Sequence, residues 1–255
     1  MNNNNMNAKL ATIILAAGKG TRMCSDLAKV LHPVCGQPMI YYSVDLAQKI
    51  GSAIIVLVVG HQAEVIREKL KDNDLIYVLQ REQLGTGHAV LQARDAFRHF
   101  EGDILILCGD VPLLLVKTIE SLIFCHRESK AVVTVLTTLL DDPSGYGRII
   151  KGEDGTIIKI VEERDATSKE KKVKEINSGI YCASCRFLFN AVSLIGNDNV
   201  QKEYYLTDMV EIAHKMDFQV NAFLSYDSRE VMGINTVDEL KKASWIMEER
   251  RKGNF

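Results

Sequence analysis

The chain has 255 residues, 47% of them hydrophobic, with 31 basic and 33 acidic side chains for a formal charge of −2. That length and apolar content suit one large α/β domain or two small ones, and the interspersed charges exclude the polybasic footprint of a nucleic-acid or membrane-surface protein. No apolar run reaches the roughly 18 to 20 residues that span a bilayer, and the polar start Met1 to Met6 lacks the features of a signal peptide, so a cytoplasmic location is expected.

Leu10 to Ala16 is an apolar, β-branched run with the character of a buried strand, and it empties into Gly18-Lys19-Gly20-Thr21-Arg22. Gly18 and Gly20 free the backbone to take positive φ and approach a ligand. Successive N–H groups in such a loop form an anion-binding concavity, to which Thr21, Arg22 and Lys29 add a hydroxyl and two cations. This is the make-up of a triphosphate site. Neither familiar phosphate loop fits it. Met23 stands where a dinucleotide fingerprint needs its third glycine, which sets a dehydrogenase aside, and the order Gly18-Lys19-Gly20-Thr21 is not that of a P-loop.

Beyond the turn at Pro33 and Pro38, Met39 to Ile50 reads as a helix and Ala53 to Val59 as a strand. The strand's lack of alternation predicts burial on both faces, as in a parallel sheet covered by helices. A helix over Gln62 to Leu70, with Val65, Ile66, Lys69 and Leu70 at helical spacing, and a strand over Leu75 to Leu79 continue a βαβαβ pattern. Gln80 to His88 then falls at the carboxyl end of a strand, where open α/β sheets place their ligands. Gln80 and Gln83 offer amide donors and acceptors that match the N3–H and carbonyls of uracil, and Gly85 permits close approach; the plain alternative is a turn capping a helix at Gly87 to Arg98.

Strand Asp103 to Leu107 leads into Cys108-Gly109-Asp110-Val111-Pro112, which projects a carboxylate into the same crevice. A hard oxygen ligand there suits Mg²⁺ bound to phosphates, with a helix cap as the alternative role for Asp110. A helix over Leu114 to Arg127 and a strand over Ala131 to Thr138 complete a nucleotide-binding half, residues 9 to 140. From Asp141 the chain turns β-rich, with short runs at Ile149 to Ile150 and Thr156 to Val161 around the hairpin signal Glu153-Asp154-Gly155. Glu162, Asn177 to Gly179 and the backbone at Gly147 are the polar groups a hexose needs there, so residues 141 to 235 are read as a sugar-binding half.

Lys169 to Lys174 reads as a solvated charged linker, Arg186 to Ile195 and Tyr204 to Met216 as helices, and Gln219 to Leu224 as a late strand. Thr236-Val-Asp-Glu239 is a capping box opening a terminal helix within 236 to 255, with Val237, Leu240, Ala243 and Met247 on one face and Asn235 just before it. The six cysteines are scattered, as in a reducing compartment. Cys182 and Cys185 have CxxC spacing but no second ligand pair or thioredoxin context, and read as small residues flanking the end of a strand.

The stretch LAAGKGTRM followed by SDLAKVL resembles the signature of sugar-nucleotide pyrophosphorylases, and LGTGHA, GDVP, DDPSGYGRI, IVEERDAT, EINSGI, EYYLTD and GIN extend the resemblance over residues 9 to 245. It is nearest to the pyrophosphorylase domain of bacterial bifunctional N-acetylglucosamine-1-phosphate uridylyltransferases. The resemblance implies an α/β fold with a Rossmann-like, mostly parallel mixed sheet, and transfer of UMP from UTP to N-acetylglucosamine 1-phosphate with Mg²⁺. By the same resemblance Leu15, Ala16, Ala17, Gly18, Gly20, Lys29, Gln80, Gln83, Gly85, Thr86 and Gly109 would contact the nucleotide, and Arg22, Lys29 and Asp110 would carry catalysis. Gly147, Glu162, Asn177 and Asn235 would contact the sugar, and Asp110 and Asn235 would hold the metal.

Ala28 stands where the family usually has proline, which is expected to loosen the loop carrying Lys29, and Cys108 replaces a common tyrosine. The sequence stops at Phe255 without the hexapeptide repeats that carry acetyltransfer and trimerisation in the bifunctional proteins, so neither is expected of it and its oligomeric state stays open. Two rivals remain at this point: the same chemistry on another sugar such as glucose 1-phosphate, and a non-catalytic sensor of UDP-sugars.

Overall fold

The computed structural model describes residues 8 to 253 apart from Lys19, Cys24 and Asp72, so those three residues, the side chain of Thr21 and the Asn-rich start lie outside the described part. The chain forms β1 (Leu10–Ala16), β2 (Pro33–Val34), β3 (Gln37–Pro38), α1 (Met39–Lys49), β4 (Ile55–Val59), α2 (Ala63–Lys69), β5 (Ile76–Leu79) and α3 (Thr86–Gln92). It continues through β6 (Asp103–Cys108), α4 (Val116–Ser129), β7 (Val133–Leu139), β8 (Arg148–Lys151), β9 (Ile157–Val161) and β10 (Glu175–Ser184). Helices α5 (Cys185–Val192) and α6 (Asp208–Lys215), strand β11 (Val220–Ser225) and helix α7 (Val237–Arg251) complete it.

Nine strands share one sheet, with the path β11-β7-β10-β6-β1-β4-β5 and the β8–β9 hairpin attached to β10. β6, β1, β4 and β5 run parallel, and β11 runs parallel to β7. β10 is antiparallel to both of its neighbours, β6 and β7. The sheet is the mostly parallel, helix-covered α/β architecture expected from the apolar runs. β1 shows the physical reason: Ala11 and Ile13 join one core and Leu10, Ile14 and Ala16 the other, because successive side chains of a strand point to opposite faces. Helices α3, α5 and α6 cover the first face, α1, α2 and α4 the second, and α7 packs with β2 and Met39 in a third, smaller core.

Several boundaries differ from the sequence reading. The helix expected over Gly87 to Arg98 ends at Gln92 and becomes a tighter 3-10 turn over Arg94–Phe97, which brings Phe97 into the core against Phe189 at 5.7 Å. The helix expected from Tyr204 begins only at Asp208, because the Tyr204 backbone is engaged by the loop before α3: Tyr204 N donates to Leu84 O at 2.8 Å and Tyr204 O accepts from Gly87 N at 2.8 Å. Val65 and Val237 are exposed; Ile66, Leu70 and Ala243 of the same expected spacings are buried, and Ile246 takes an inward position the sequence reading did not give it. The stretch 175 to 184 is a central strand interrupted by a bulge between Asn177 and Tyr181, where Gly179 takes φ 79° and Ser178 Oγ donates to Leu136 O at 2.6 Å. Cys182 lies buried within β10 and Cys185 begins α5; both are free thiols, as the plain reading of the CxxC spacing had it. No helix among the described residues is long and apolar enough to cross a membrane.

Candidate active site

Parallel register puts the ends of β1 and β6 side by side, with Leu15 opposite Cys108. The loops leaving these two strands therefore open at one edge of the sheet, the place where parallel α/β sheets bind ligands. A cleft of 240 Å³ lies there, lined by Leu15, Ala16, Ala17, Gly18, Lys29, Val30, Gln80, Gln83, Gly85, Thr86, Ala89, Cys108 and Asp110. Of the eleven residues expected at the nucleotide, Gly20 and Gly109 are not among these. Gly20, at φ 65°, would strike Lys29 Cβ at 2.4 Å if it carried a side chain, and Gly109 would strike Ile40 at 2.6 Å. Both let neighbouring segments close up behind the cleft. Val30 and Ala89 escaped the sequence reading because small apolar wall residues carry no chemical signature of their own.

Gln80 is buried, and its Nε2 donates to Gly85 O at 3.1 Å and to His88 Nδ1 at 3.0 Å. With both amide hydrogens committed inside the chain, Oε1 is the atom left to meet a ligand's N–H. Gln83 Nε2 donates to the Gln80 main-chain carbonyl at 3.2 Å, which ties the Gln83 side chain to the backbone that carries Gln80. Thr86 Oγ1 accepts from Leu206 N at 3.0 Å, so the loop over the cleft is fastened to the segment before α6.

At the mouth of the cleft the charged groups converge. Lys29 Nζ pairs with Asp110 Oδ2 and donates to Asn235 Oδ1 at 3.1 Å, and Arg22 Nη2 donates to the same Asn235 oxygen at 2.9 Å. Residues 22, 29, 110 and 235 thus form one cluster, although more than 200 positions separate the first from the last. Asn235 is held by its own helix cap: Glu239 Oε2 accepts from Asn235 N at 2.6 Å and from Thr236 N at 2.9 Å. Ile234 N donates to Asp110 O at 2.9 Å, which docks this segment onto the end of β6. Burial pushes the Cys108 thiol up to about 12, so the cleft wall beside Asp110 stays neutral.

A second group lies next to the first. A side chain on Gly147 would sit 3.6 Å from both Asn177 Cβ and Glu162 Oε1, so Gly147, Glu162 and Asn177 surround one point. Asn235 lies with the charged cluster and not with this group. Glu162 Oε1 accepts from Thr207 Oγ1 at 3.1 Å, and burial raises its carboxyl despite that bond. Asn177 Oδ1 accepts from Gly179 N at 2.9 Å, and Cys108 Sγ reaches Gly179 O at 3.5 Å, which joins this group to the cleft wall. Arg148, 1% exposed, pairs with Glu163 at 2.7 Å and donates to the Tyr146 carbonyl, fixing the backbone beside Gly147. Tyr146 and Thr207 were not singled out from the sequence. The Tyr146 phenol is hydrogen-bonded to the Gly233 backbone and raised by burial and by the Glu239 and Asp110 carboxylates. Its place between Gly145 and Gly147 was the available signal.

The family described as nucleotidyl transferase matches residues 11 to 245. The chain belongs to the nucleotidyl transferase family. Among curated relatives it is 52% identical to the bifunctional protein GlmU of Geobacter metallireducens over 242 residues, 94% of this chain and 51% of that protein. It is 50% identical to the bifunctional protein GlmU of Geotalea daltonii over 95% of this chain and 53% of the relative, and 48% identical to that of Bacillus cereus over 93% and 52%. The chain spans about half the length of these relatives. Within this nucleotidyl transferase chain the matched stretch contains the whole cleft, the charged cluster and the Gly147–Glu162–Asn177 group.

Proposed function

We propose that the chain transfers UMP from UTP to N-acetylglucosamine 1-phosphate, giving UDP-N-acetylglucosamine and pyrophosphate. The observation that carries this reading is the convergence of Lys29, Arg22, Asp110 and Asn235 at the mouth of a cleft whose deep end presents Gln80. Family membership and relatives named bifunctional protein GlmU support it.

Uracil enters at Gln80 and Gly85, with the Gln80 Oε1 accepting from its N3–H. The triphosphate runs along Leu15 to Gly18, where the open Gly18 backbone admits it. The Gly147, Glu162 and Asn177 group receives the sugar, and because Cys108 links that group to the cleft wall, the sugar's phosphate enters the cleft beside Lys29. The sugar phosphate is already an anion at neutral pH, so no general base is required. Its oxygen attacks the α-phosphorus in line, the bond to the bridging oxygen breaks, and pyrophosphate leaves with the electron pair. Catalysis rests on holding two repelling anions together and neutralising their charge. Lys29 does this on the phosphates, and Arg22 faces the departing pyrophosphate.

Asp110 and Asn235 fit Mg²⁺. Their two hard oxygens already converge on one cation, the Lys29 ammonium. Among the described residues no group of three or more His, Cys, Asp or Glu gathers as a protein-made metal cage, and Mg²⁺ with bound phosphates uses only one or two protein oxygens. When bound, it supplies further charge neutralisation on the phosphate oxygens. The test is pyrophosphate release from UTP and N-acetylglucosamine 1-phosphate with Mg²⁺, against Asp110→Ala and a chelator control. The expected result is a loss of about 100-fold or more in the variant; near-wild-type turnover of Asp110→Ala would remove the metal and phosphate assignment.

A further inference from the structure

We propose that Gln62 is a positioning residue for catalysis, a side-chain clamp on the loop that carries Lys29; its catalytic consequence rests on the phosphate role read for Lys29. Gln62 Oε1 accepts from Ala28 N at 2.8 Å and Gln62 Nε2 donates to Asp26 O at 2.7 Å. One amide thus holds two backbone groups of the stretch that ends immediately before Lys29. The clamp meets a definite need. Ala28 is 1% exposed and extended at φ −54°, ψ 135°, and the next turn uses its carbonyl, through Leu31 N at 2.9 Å, but not its N–H. A buried N–H requires a partner, and Gln62 is that partner.

The backbone at Gln62 points the same way. It takes φ 56°, ψ 37°, a left-handed conformation that side chains other than glycine, asparagine and aspartate seldom adopt. It also occupies the N-cap of α2 without making a side-chain cap bond. Its carbonyl accepts from Ile66 N at 3.1 Å as a helix N-cap does, but its side chain gives α2 nothing for the strained backbone, and the amide's two bonds go to the loop instead. The turn just before Gln62 is pressed against the cleft wall: a Cβ on Gly60 would lie 2.6 Å from Ala17 O and 2.9 Å from Gln83 Nε2. Ala28 therefore does not leave the loop loose, as the missing proline suggested. Its φ lies in the range a proline ring imposes, and the Gln62 hydrogen bonds do the work of the ring.

Gln62→Gly tests this cleanly, because glycine accepts φ 56° without strain. The variant deletes the clamp while relieving the backbone, and that relief offsets part of the cost of leaving the Ala28 N–H without its partner, so the fold should persist with at most a modest fall in melting temperature. Hydrogen exchange in ligand-free protein should speed up across residues 25 to 31 by at least about tenfold. The kcat for pyrophosphate release should drop by about tenfold, and Ala28→Pro in the Gln62→Gly background should restore most of it by resetting φ without needing the N–H. Unchanged exchange in Gln62→Gly would overturn the clamp. Faster exchange with unchanged kcat, or a kcat loss that Ala28→Pro does not rescue, would overturn its catalytic role. Should the wild-type protein itself release no pyrophosphate with any sugar 1-phosphate, the uridylyltransfer reading fails and the catalytic role with it, while the exchange comparison still decides the clamp.

Discussion

Gly85 sits at φ 109°, and a Cβ there would lie 2.6 Å from Tyr204 O and 2.7 Å from Tyr204 N. Gly85→Ala should therefore cost about 1–3 kcal/mol through backbone strain and forced separation of the two loops. The checks are a lower melting temperature and a weakened UTP titration by calorimetry. The sequence reading assigns Gly85 the task of admitting a base; the structure adds that it admits the chain's own backbone at Tyr204. A contact between residues 85 and 204 leaves no local signal, which is why that half of its role was not legible. Asp208 supplies a prediction of another kind. Burial, followed by the Glu211 and Asp165 charges, raises its carboxyl from 3.8 to about 6. The folded state thus holds this proton more tightly than the unfolded chain, so the group favours folding below pH ~4 and that contribution disappears as pH rises through about 6. Asp208→Asn should gain stability relative to wild type between pH 4 and pH 7.5, read as a growing difference in denaturation midpoint. A difference that stays constant with pH would contradict the burial argument.

At the scale of elements, the strand-to-loop junction after β1 and the Asp after β6 were legible because continuous apolar runs mark buried parallel strands and glycines mark their exits. β10 was legible only in part. Its Asn177-Ser178-Gly179 looks like a strand end in one dimension, yet in the sheet it is a bulge that turns Asn177 toward Gly147 and Glu162. The opening of α7 is as the capping-box pattern predicts: Thr236 Oγ1 accepts from Glu239 N at 3.2 Å, and Glu239 returns a bond to the Thr236 backbone. The pattern does not reveal that the same carboxylate also grips Asn235 N. Thr236→Ala should cost about 1 kcal/mol of stability by denaturant titration. Glu239→Ala should add to such a loss a several-fold weaker affinity for Mn²⁺, followed by electron paramagnetic resonance, since it releases the backbone of a proposed metal ligand. Equal Mn²⁺ affinity in Glu239→Ala and wild type would separate Asn235 from the metal.

At the scale of the molecule, one sheet is built from both stretches that the sequence divided into nucleotide and sugar halves. β10 and β11 come from beyond residue 141 but lie in the same nine-stranded sheet as β1 and β6. This is what lets Arg22, Lys29, Asp110 and Asn235 meet at one cleft while Glu162 and Asn177 stand beside it. The residue types of the site were legible because their chemistry is distinctive. For Asn235 the convergence came only through the family resemblance, because it depends on β10 entering between β6 and β7 and on the segment before α7 docking at Asp110, just beyond β6. The most direct measurement is a competition: UTP and Mg²⁺ with an equimolar mixture of N-acetylglucosamine, glucosamine and glucose 1-phosphates, with the UDP-sugars formed resolved by mass spectrometry. UDP-N-acetylglucosamine should dominate the products. Dominance of UDP-glucose would contradict the role given to Glu162 and Asn177, and binding of UDP-N-acetylglucosamine without formation of any UDP-sugar would replace the transferase with a sensor.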